Sequence, residues 1–363
     1  MNAFGIACLG VTHPHASGRL RVMMARDDVR VVGAADDHAV IEPFVEHFGI
    51  PHRSKDDLLA DPNVDGVLLH GKSDENPLWA IEALRAGKAV LLEKPGGRNL
   101  ADLDALVTVV EETQGICQVG YCFRFSPTVA LTQRIIDEGV LGQILQVRVH
   151  GACSLDEART SHLNQPEDMG GALFVIGCHV VDLMLYHFGI PRVVNARVPK
   201  FGGVFGDTSR EDAAVAVFQY DHHLISLDFM SWDPLPWVES WEVALYGTDG
   251  VLFACPLPAH YRLFLKEARG GFPAGWTTWN ETNFSTPWAA KTTDYSPELA
   301  EIAHTTFFER EAAAFLDAVR GRAPVPISAQ HARDILRVIA ACYVSSRQAG
   351  REESLQVSSS FLL

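Results

Sequence analysis

The sequence predicts an α/β protein that begins with a doubly wound parallel sheet. Apolar runs of strand length alternate with helical patterns over the first 122 residues. One of these runs, Ala89–Leu92, has the length of a buried parallel strand and ends abruptly in Glu93-Lys94-Pro95. A second observation is Gly10, which breaks the first apolar run just before a helical pattern. Because ligands of such sheets bind beyond the carboxyl ends of the strands, a site is expected at Glu93-Lys94-Pro95.

The individual elements follow from the spacing of the apolar residues. The predicted strands are Phe4–Leu9, Val29–Ala35, Val64–Leu69, Ala89–Leu92 and Ile116–Val119. The predicted helices are Arg19–Ala25, Ile41–Phe48, a short one that stops at Pro62, Leu78–Ala86 and Leu100–Thr113. Gly87 follows the fourth helix, as is typical of a helix C-terminus. Such alternation of strands and helices predicts that the strands are parallel.

Length and composition limit the classes of protein that fit. The chain has 363 residues, 47% of them hydrophobic, which predicts two domains, residues 1–122 and 123–363. The net charge of −15 argues against a nucleic-acid partner, and no apolar run approaches the roughly 18 residues of a membrane span. The seven cysteines are scattered without a C-x-x-C pair, and the N-terminus lacks the basic region of a secretory signal. We therefore expect reduced thiols in a cytoplasmic protein.

The turn after the first strand is the expected place for the pyrophosphate of a dinucleotide. The glycines of the G-x-G-x-x-G fingerprint correspond to Cys8, Gly10 and His13, so only the middle glycine is present. That glycine lets the backbone approach phosphates closely, and we expect Gly10, Thr12 and His13 to contact the cofactor. Asp36 ends the second strand, where an acid accepts hydrogen bonds from the adenosine ribose and repels a 2′-phosphate; NAD is favoured over NADP, with NADP still possible. The alternative is that Asp36 only caps the next helix.

Two histidines, His13 and His15, flank a proline in this turn. Imidazole is a common metal ligand, so a metal site is conceivable. The sequence offers no carboxylate or cysteine close to the pair, and loop histidines are usually solvated or hydrogen-bonded. We therefore predict no metal.

Longer blocks of sequence are specific in their order. They are Ala80–Lys88, Glu93–Pro95, Val119–Phe125, Ile136–Ile144, Gly170–Asp182 and Phe315–Arg322. In these blocks, which span most of the chain, the sequence resembles the glucose–fructose oxidoreductase / inositol dehydrogenase family (Gfo/Idh/MocA).

The resemblance implies an NAD(P)-dependent oxidoreductase that acts on a sugar, a cyclitol or a related polyol. The N-terminal part is then an NAD(P)-binding Rossmann domain, in which Glu93 and Pro95 shape the nicotinamide pocket. Lys94 would border the cofactor and hydrogen-bond the reacting oxygen, and His179 would take the hydroxyl proton. The substrate-binding residues on this basis are Lys94, Arg124, Val175 and His179.

The resemblance also implies that an α+β domain with a large, open, mainly antiparallel sheet starts near Phe123. The sequence agrees independently, because alternating or β-branched runs occur with turns between them. These runs are Ile144–His150, Val193–Val198, Ala213–Tyr220, Leu224–Met230 and Trp241–Tyr246, with turns at Asp221-His222 and Gly247–Gly250 and helices at Thr305–Val319 and Ala329–Arg347. The open face of this sheet needs a cover, so we expect a homodimer or homotetramer.

A long helix is predicted at Gly170–Phe188, with Val175, His179 and Asp182 on one side. Family members commonly use an aspartate where this chain has Val175. A carboxylate one turn away would make His179 more basic and orient it. Its absence leaves three options: another residue such as Asp182 replaces it, the chemistry needs a weaker base, or hydride transfer has been lost.

Two other functions therefore stay open beside the dehydrogenase. One is a regulatory member that binds nucleotide without catalysis. The other is an enzyme that uses nicotinamide only transiently, for glycoside cleavage or elimination. The segment 256–297, rich in Trp, Thr, Gly and Pro, lacks clear periodicity; we interpret it as a loop over a pocket, a subunit contact or a surface insertion with buried aromatic residues.

Overall fold

The computed structural model describes residues 3–153, 168–201, 210–231, 241–257, 259–280 and 297–355. These residues form two compact units. The first consists of residues 3–122, 168–169 and 297–334, and the second of the remaining described residues. The predicted single boundary after Cys122 is therefore wrong for residues 297–334, which belong to the first unit. Residues 297–334 join the first unit because their helix packs on it through Glu311, a buried partner of Arg19.

The sheet of the first unit has five parallel strands in the order β2-β1-β3-β4-β5. Its strands are β1 (Phe4–Leu9), β2 (Val29–Ala35), β3 (Gly66–Leu69), β4 (Ala89–Leu92) and β5 (Cys117–Val119). All residues of β1, β3, β4 and β5 are buried, as expected for a parallel sheet covered on both faces. The order changes direction between β1 and β3, and ligands bind at such switch points. The predicted parallel sheet is confirmed.

The helices of the first unit connect these strands and begin close to their predicted positions. They are α1 (His15–Met24), α2 (Ile41–Phe48), α3 (Lys55–Ala60), α4 (Asn76–Arg85) and α5 (Leu100–Thr113), followed by a short 3₁₀ turn (Cys122–Phe125) that leads into the second unit. Helix α1 starts several residues before the predicted Arg19, because Pro14 provides a helical φ at its N-cap position. Asn99 caps α5 by accepting a hydrogen bond from the N–H of Asp102.

The second unit is built on a nine-stranded sheet, in the order β13-β12-β11-β10-β6-β9-β8-β7-β14. Only β6 and β9 pair in parallel, so the predicted mainly antiparallel sheet is confirmed. Its strands are β6 (Ile144–Ala152), β7 (Val193–Arg197), β8 (Ala213–Gln219), β9 (Leu224–Met230), β10 (Trp241–Gly247), β11 (Gly250–Pro256), β12 (Ala259–Leu265), β13 (Gly275–Asn280) and β14 (Glu353–Ser354).

The helices of the second unit are α6 (Pro127–Asp137), α7 (Ala172–Val175) and α8 (Cys178–Phe188). The predicted continuous helix Gly170–Phe188 is wrong, because it breaks at Ile176-Gly177. A Cβ at Gly177 would lie only 2.8 Å from Leu173 Cα, so glycine allows the two short helices to approach closely. Val175 and His179 therefore belong to different helices, and their helical spacing does not place them on one face.

The Trp-rich segment is also different from its prediction. Its described part forms β12 and the edge strand β13, which pair in antiparallel register; residues 281–296, including Trp288, lie outside the described residues. Trp276 and Trp279 are 57% and 40% exposed, so they are not buried aromatic residues. The interpretation of the segment as a loop is therefore wrong for Ala259–Leu265 and Gly275–Asn280, which are strands.

Two C-terminal helices complete the described chain, α9 (Pro297–Val319) and α10 (Ala329–Arg347). Ser328 accepts a hydrogen bond from the N–H of His331 and is the N-cap of α10. Within the described ranges no helix combines the length and apolar character needed to cross a membrane.

Candidate functional site

The carboxyl ends of β1, β3, β4 and β5 bring the predicted cofactor residues of the first unit together. Gly10 follows β1, His70 follows β3, Glu93 follows β4 and Gly120 follows β5. Glu93 and Lys94 are both buried, with 1% and 3% of their surface exposed. Glu93 and Lys94 are therefore not a solvated surface ion pair.

The turn after β1 is shaped by the packing of two glycines. Gly10 has a left-handed φ of 71°, and a Cβ there would lie 2.5 Å from the backbone of Gly71. Gly10 is thus required by the fold itself, whether or not a phosphate binds to it.

Most backbone N–H groups of this turn already have acceptors in the protein. Val11 donates to Asp36 Oδ2 at 2.6 Å, His13 donates to the carbonyl of His70 at 2.8 Å, and His15 donates to His13 Nδ1 at 3.1 Å. Such N–H groups form the anion cradle of a standard fingerprint turn. Fewer backbone N–H groups of this turn are therefore available to an anion than the missing glycines alone predicted.

Asp36 lies at the end of β2, where the sequence placed it, and it faces this turn. Its Oδ2 accepts from Val11 N–H and from the Thr12 hydroxyl, the latter at 3.3 Å, and its Oδ1 accepts from the N–H of His38 at 2.8 Å. It is not the N-cap of α2, which is Val40. The helix-capping alternative for Asp36 is therefore wrong. His38, two residues after Asp36, contacts Glu75 with Nε2 and Oε1 2.7 Å apart.

The centre of the site is a buried arginine that sequence reasoning missed. Arg19, on α1, forms a charge-assisted hydrogen bond from Nη1 to Glu93 Oε2. It also holds Glu311 of α9 with two bonds, 2.5 Å from Nε and 3.0 Å from Nη2. Its other contacts are His70 Nε2, the carbonyl of Gly120 and the ring of Phe308. A lone arginine in an amphipathic helix gives no sequence signal for such a role.

The electrostatics of this cluster follow from burial and neighbouring charge. Burial tends to raise the pKa of Glu93, but His13, Arg19 and His15 outweigh it and hold the pKa well below its ordinary value. Burial raises the pKa of Glu311, with Arg19 acting in the opposite direction. Burial and Arg19 together lower the pKa of His70. Glu93 is accordingly ionised at neutral pH, while His70 is neutral.

His13 and His15 do have a carboxylate neighbour, contrary to the expectation from the sequence. His15 Nδ1 lies 3.2 Å from Glu93 Oε2, and His13 Nε2 lies 3.6 Å from Oε1, because the end of β4 meets the turn after β1. The potential ligand atoms of the three residues all lie within 4.8 Å of one another, a separation that a metal ion could span. The sequence did not predict this group, because Glu93 is far along the chain from His13 and His15.

Two features argue that this group is a hydrogen-bonded cluster and not a metal centre. His13 Nδ1 accepts the N–H of His15, so the proton of the neutral ring is on Nε2, the atom a metal would need. In addition, Arg19 bonds Glu93 directly and Lys94 Nζ lies 4.0 Å from it, so two cations already surround the carboxylate. We keep the prediction that no metal binds here.

Three buried polar atoms at this edge of the sheet fit a bound molecule that carries both donors and acceptors. They are His70 Nδ1, Asn76 Oδ1 and Glu93 Oε1, and none has a hydrogen-bond partner within the described part of the chain. His70 Nε2 accepts from Arg19, so Nδ1 of the neutral ring is a donor. One donor and two acceptors suit the hydroxyls of a ribose or the carboxamide of a nicotinamide. The residues present therefore fit a dinucleotide.

The second unit holds the other predicted catalytic residue, His179, in an aromatic setting. His179, the second residue of α8, is 4% exposed and stacks on Phe123 with ring centroids 4.7 Å apart and an angle of 24° between the rings. Trp241 stands perpendicular to the same ring at 6.2 Å. Two fixed aromatic neighbours orient the imidazole by packing, a role that sequence reasoning did not assign to Phe123 and Trp241.

Arg124 and Asp182, on the 3₁₀ turn and α8, form a bidentate ion pair. Arg124 Nε and Nη2 donate to Asp182 at 3.0 and 2.7 Å, and both side chains are buried. The guanidinium also lies over Tyr186 at 4.3 Å. Asp182 is thus held by Arg124, which argues against Asp182 as the replacement acid for His179. Val175, 2% exposed, is a core residue of α7.

The sequence matches one family in both units. Residues 4–121 match the model described as "Oxidoreductase family, NAD-binding Rossmann fold", and residues 129–253 match "GFO/IDH/MocA C-terminal domain". Together the two regions cover about two thirds of the chain.

Individual relatives are distant. The chain is 26% identical to trans-1,2-dihydrobenzene-1,2-diol dehydrogenase of Mus musculus over 60% of this chain and 64% of the relative. It is 26% identical to scyllo-inositol 2-dehydrogenase (NAD(+)) of Bacillus subtilis over 63% and 66%, respectively. The matched region spans slightly less than two thirds of these relatives. The WlbA dehydrogenase of Bordetella pertussis, solved with NADH and UDP-GlcNAcA, has the same fold with a TM-score of 0.77, 19% identity, and coverage of 98% of this chain and 99% of that chain.

Proposed function

Because the chain belongs to the Gfo/Idh/MocA oxidoreductase family, we propose that it is an NAD(P)-dependent dehydrogenase of a sugar, a cyclitol or a related polyol. The observation that carries the proposal is the buried Glu93-Lys94-Pro95 at the carboxyl end of β4, in an NAD-binding Rossmann domain. The dehydrogenases of dihydrodiols and inositol among its relatives act on CH–OH groups, which agrees with this class of substrate.

The residues of the first unit would hold the cofactor and the reacting oxygen. Nicotinamide supplies the hydride acceptor, and the turn at Gly10, Thr12 and His13 would lie against the pyrophosphate. Pro95 and the Oε1 atom of Glu93 would border the nicotinamide half. Lys94 would donate a hydrogen bond to the substrate oxygen, which stabilises the negative charge that develops when the hydroxyl loses its proton.

The second unit carries the proposed general base. His179 would accept the hydroxyl proton as the carbon–hydrogen bond breaks. Phe123 and Trp241 keep the imidazole in one orientation, which substitutes in part for the aspartate that other members carry at Val175. Arg124, held in place by Asp182 and Tyr186, would border the substrate.

Calorimetric titration with NADH and with NADPH tests the cofactor part of the proposal. Asp36 lies beside the turn after β1 and accepts the N–H of Val11 with Oδ2, so its carboxylate would repel a 2′-phosphate at the adenosine end. We expect micromolar binding of NADH and at least tenfold weaker binding of NADPH. Tighter binding of NADPH would refute the role of Asp36, and no binding of either nucleotide would refute the dehydrogenase.

A second candidate function is nucleotide binding without hydride transfer. Two observations favour it: Val175 stands where family members carry an acid, and the protein itself occupies most N–H groups of the phosphate turn. A member of this kind would bind NADH yet produce no reduced cofactor with any polyol.

The variant Val175→Asp tests whether the missing acid limits catalysis. If His179 lacks support, we expect turnover of an inositol-type substrate to rise by about tenfold, since a neighbouring carboxylate stabilises the imidazolium that forms. The buried site will also lose stability, because an ionised side chain replaces an apolar one. Val175→Asn is the matched control, with similar size and no charge. Equal activity of all three proteins would indicate that valine suits a different substrate.

Self-association through the large sheet also belongs to this proposal. Val215, Val217 and Trp276 lie on one face of the nine-stranded sheet and are 57%, 43% and 57% exposed. Burial of such a face favours a homodimer or homotetramer. Sedimentation equilibrium should give a multiple of 39.8 kDa that falls toward the monomer in Val217→Arg. A monomeric wild type would contradict it.

The proposed location is the cytoplasm. All seven cysteines are buried free thiols, which suits a reducing compartment. Fractionation of the source cells tests this, and recovery outside the cytoplasm would refute it.

A further inference from the structure

Glu211 is a buried carboxylate of the second unit that the proposed reaction does not use. It lies just before β8 and is 7% exposed. Its carboxylate accepts the N–H of Gly171 at 2.7 Å, the N–H of Leu173 at 3.0 Å and the hydroxyl of Tyr343 at 2.7 Å. Its backbone carbonyl accepts the N–H of Ala172 at 3.0 Å. One residue thus holds three consecutive N–H groups at the start of α7.

Two glycines allow this close approach. A Cβ at Gly170 would lie 1.8 Å from the hydroxyl oxygen of Tyr343, and a Cβ at Gly171 would lie 2.3 Å from the carbonyl oxygen of Glu211. The first neighbour is a buried aromatic side chain and the second is backbone, so neither can move aside at low cost. The Gly170-Gly171 pair of the sequence is therefore required by the packing against Glu211 and Tyr343.

The charge of Glu211 is unfavourable in this setting. Burial raises the pKa of its carboxyl group, and the Tyr343 hydroxyl and the two N–H groups oppose this rise. Burial and Glu211 raise the pKa of Tyr343 well above its ordinary value, so the phenol keeps its proton and remains a donor. Among the described residues, the partners of the carboxylate are these neutral donors. A buried carboxylate of this kind adds little net stability, which points to a role in the geometry of α7.

Hydrogen bonds continue from the start of α7 to the backbone of His179. The carbonyl of Ala172 accepts the N–H groups of Ile176 at 3.2 Å and Gly177 at 2.9 Å, at the break between α7 and α8. The carbonyl of Ile176 accepts the N–H of His179 at 3.0 Å. His179 is therefore two hydrogen bonds from Ala172. A displacement of α7 would be passed on to the imidazole that stacks on Phe123.

We infer that Glu211, held by Tyr343, is a positioning residue that fixes α7 and thereby sets the orientation of the His179 imidazole. The inference rests on the proposed function for its effect on turnover, whereas its effect on the imidazole concerns this chain alone. Val175 offers no carboxylate to His179, and its N–H donates to the carbonyl of Gly171 inside the same turn at 2.9 Å. The support for the histidine then passes through the backbone of α7.

Two variants change the support of α7 to different extents. Glu211→Gln keeps the size of the side chain, but its NH₂ group is a donor and cannot accept either of the two N–H groups. Tyr343→Phe is milder, because it removes one hydroxyl and leaves the carboxylate in place. Tyr220→Phe is the matched control: Tyr220 is as buried as Tyr343, and its hydroxyl donates to the carbonyl of Gly189 at 2.8 Å, at the C-terminus of α8.

The first measurement is the NMR signal of the His179 ring in protein that carries ¹³C at the histidine Cε1 atoms. It requires no enzymatic activity, and His179→Gln identifies the signal by its loss. The ring currents of the stacked Phe123 and the perpendicular Trp241 displace this signal from that of an exposed histidine. The size of the displacement therefore reports the orientation of the imidazole, which a change in stability alone would not alter in the folded protein.

Most of this displacement should be lost in Glu211→Gln, a smaller part in Tyr343→Phe, and none in Tyr220→Phe. An unchanged signal in the first two variants would overturn the inference. Equal changes in Tyr343→Phe and Tyr220→Phe would also overturn it, because they would show that any lost hydroxyl in this unit disturbs the ring. If Glu211→Gln does not fold, the comparison of the two phenylalanine variants decides.

Steady-state kinetics provide the second measurement. Because a small misplacement of a reacting group strongly lowers turnover, kcat of Glu211→Gln should fall by about tenfold or more, while the Kd for NADH changes little. A purely structural role would lower the thermal stability and leave kcat of the folded protein at the wild-type value, and that result would overturn the inference. If the wild-type protein reduces no NAD⁺ with any polyol, the proposed function fails, and the NMR result alone decides the role of Glu211.

Discussion

Replacement of Lys94 by methionine should lower kcat by about 10²–10³-fold and leave NADH affinity nearly unchanged. The expected loss is that of a preorganised donor to a developing oxyanion, which acts mainly in the transition state. Methionine keeps the length and apolar stem of a side chain that is 3% exposed, so the fold should survive. Steady-state kinetics with NAD⁺ and a polyol, together with calorimetry for NADH, measure the two effects separately.

A matched control for Lys94 is Lys55→Met, because Lys55 pairs with Glu82 near the surface of the same unit. That variant should keep wild-type kinetics. Wild-type turnover in Lys94→Met would show that Lys94 has no catalytic role. A loss of NADH binding equal to the loss of kcat would instead make Lys94 a cofactor residue.

Replacement of His179 by glutamine should lower kcat by about 10²–10⁴-fold, the range expected for a lost general base. Glutamine retains a hydrogen-bonding group but cannot accept a proton at neutral pH. The stacked Phe123 and perpendicular Trp241 limit where the new side chain can go, so folding should change little. The measurement is kcat over a range of pH for the variant and the wild type.

His187→Gln is the control on the same helix. His187 is buried and bonds Gln133, and burial, together with Arg124, lowers its pKa to about 3. A buried histidine that stays neutral at working pH and bonds Gln133 should be replaceable with little effect on kcat. Equal losses in His179→Gln and His187→Gln would indicate damage to α8 and not the loss of a base.

The sequence predicted most of the first unit because its strands are largely apolar runs. Phe4–Leu9, Val29–Ala35 and Ala89–Leu92 occur in the structure with the predicted bounds. A buried parallel strand cannot be amphipathic, so its pattern is unambiguous once turns bound it. Because the apolar run Ala89–Leu92 stops just before them, Glu93 and Lys94 were correctly predicted to lie at a strand end.

The electrostatic core of the site could not be predicted in the same way. Arg19 and Glu311 are 292 residues apart, and no local pattern relates them. The carboxylate beside His13 and His15 was missed for the same reason, since Glu93 reaches them only through the order of strands in the sheet. Charge pairs of this kind depend on tertiary packing and not on periodicity.

In the second unit, local backbone geometry caused the errors. The helix break at Gly177 interrupts an apolar sequence with no polar signal, and the close contact with Leu173 that requires glycine is a tertiary feature. Strand β13 lies at the sheet edge with mostly exposed residues, so it has no buried face to create a period of two. Asp182 was left open as a replacement acid because its partner Arg124 lies 58 residues earlier.

The most direct test of the proposed dehydrogenase is the formation of reduced cofactor. Purified protein is mixed with NAD⁺ and, one at a time, with inositols, aldoses and dihydrodiols, and the near-ultraviolet absorbance of NADH is followed. We predict that NADH accumulates in proportion to oxidised substrate for at least one polyol, and that Lys94→Met abolishes most of this signal. Binding of NADH without accumulation for any substrate, or conversion of a substrate with no net NADH, would contradict the account.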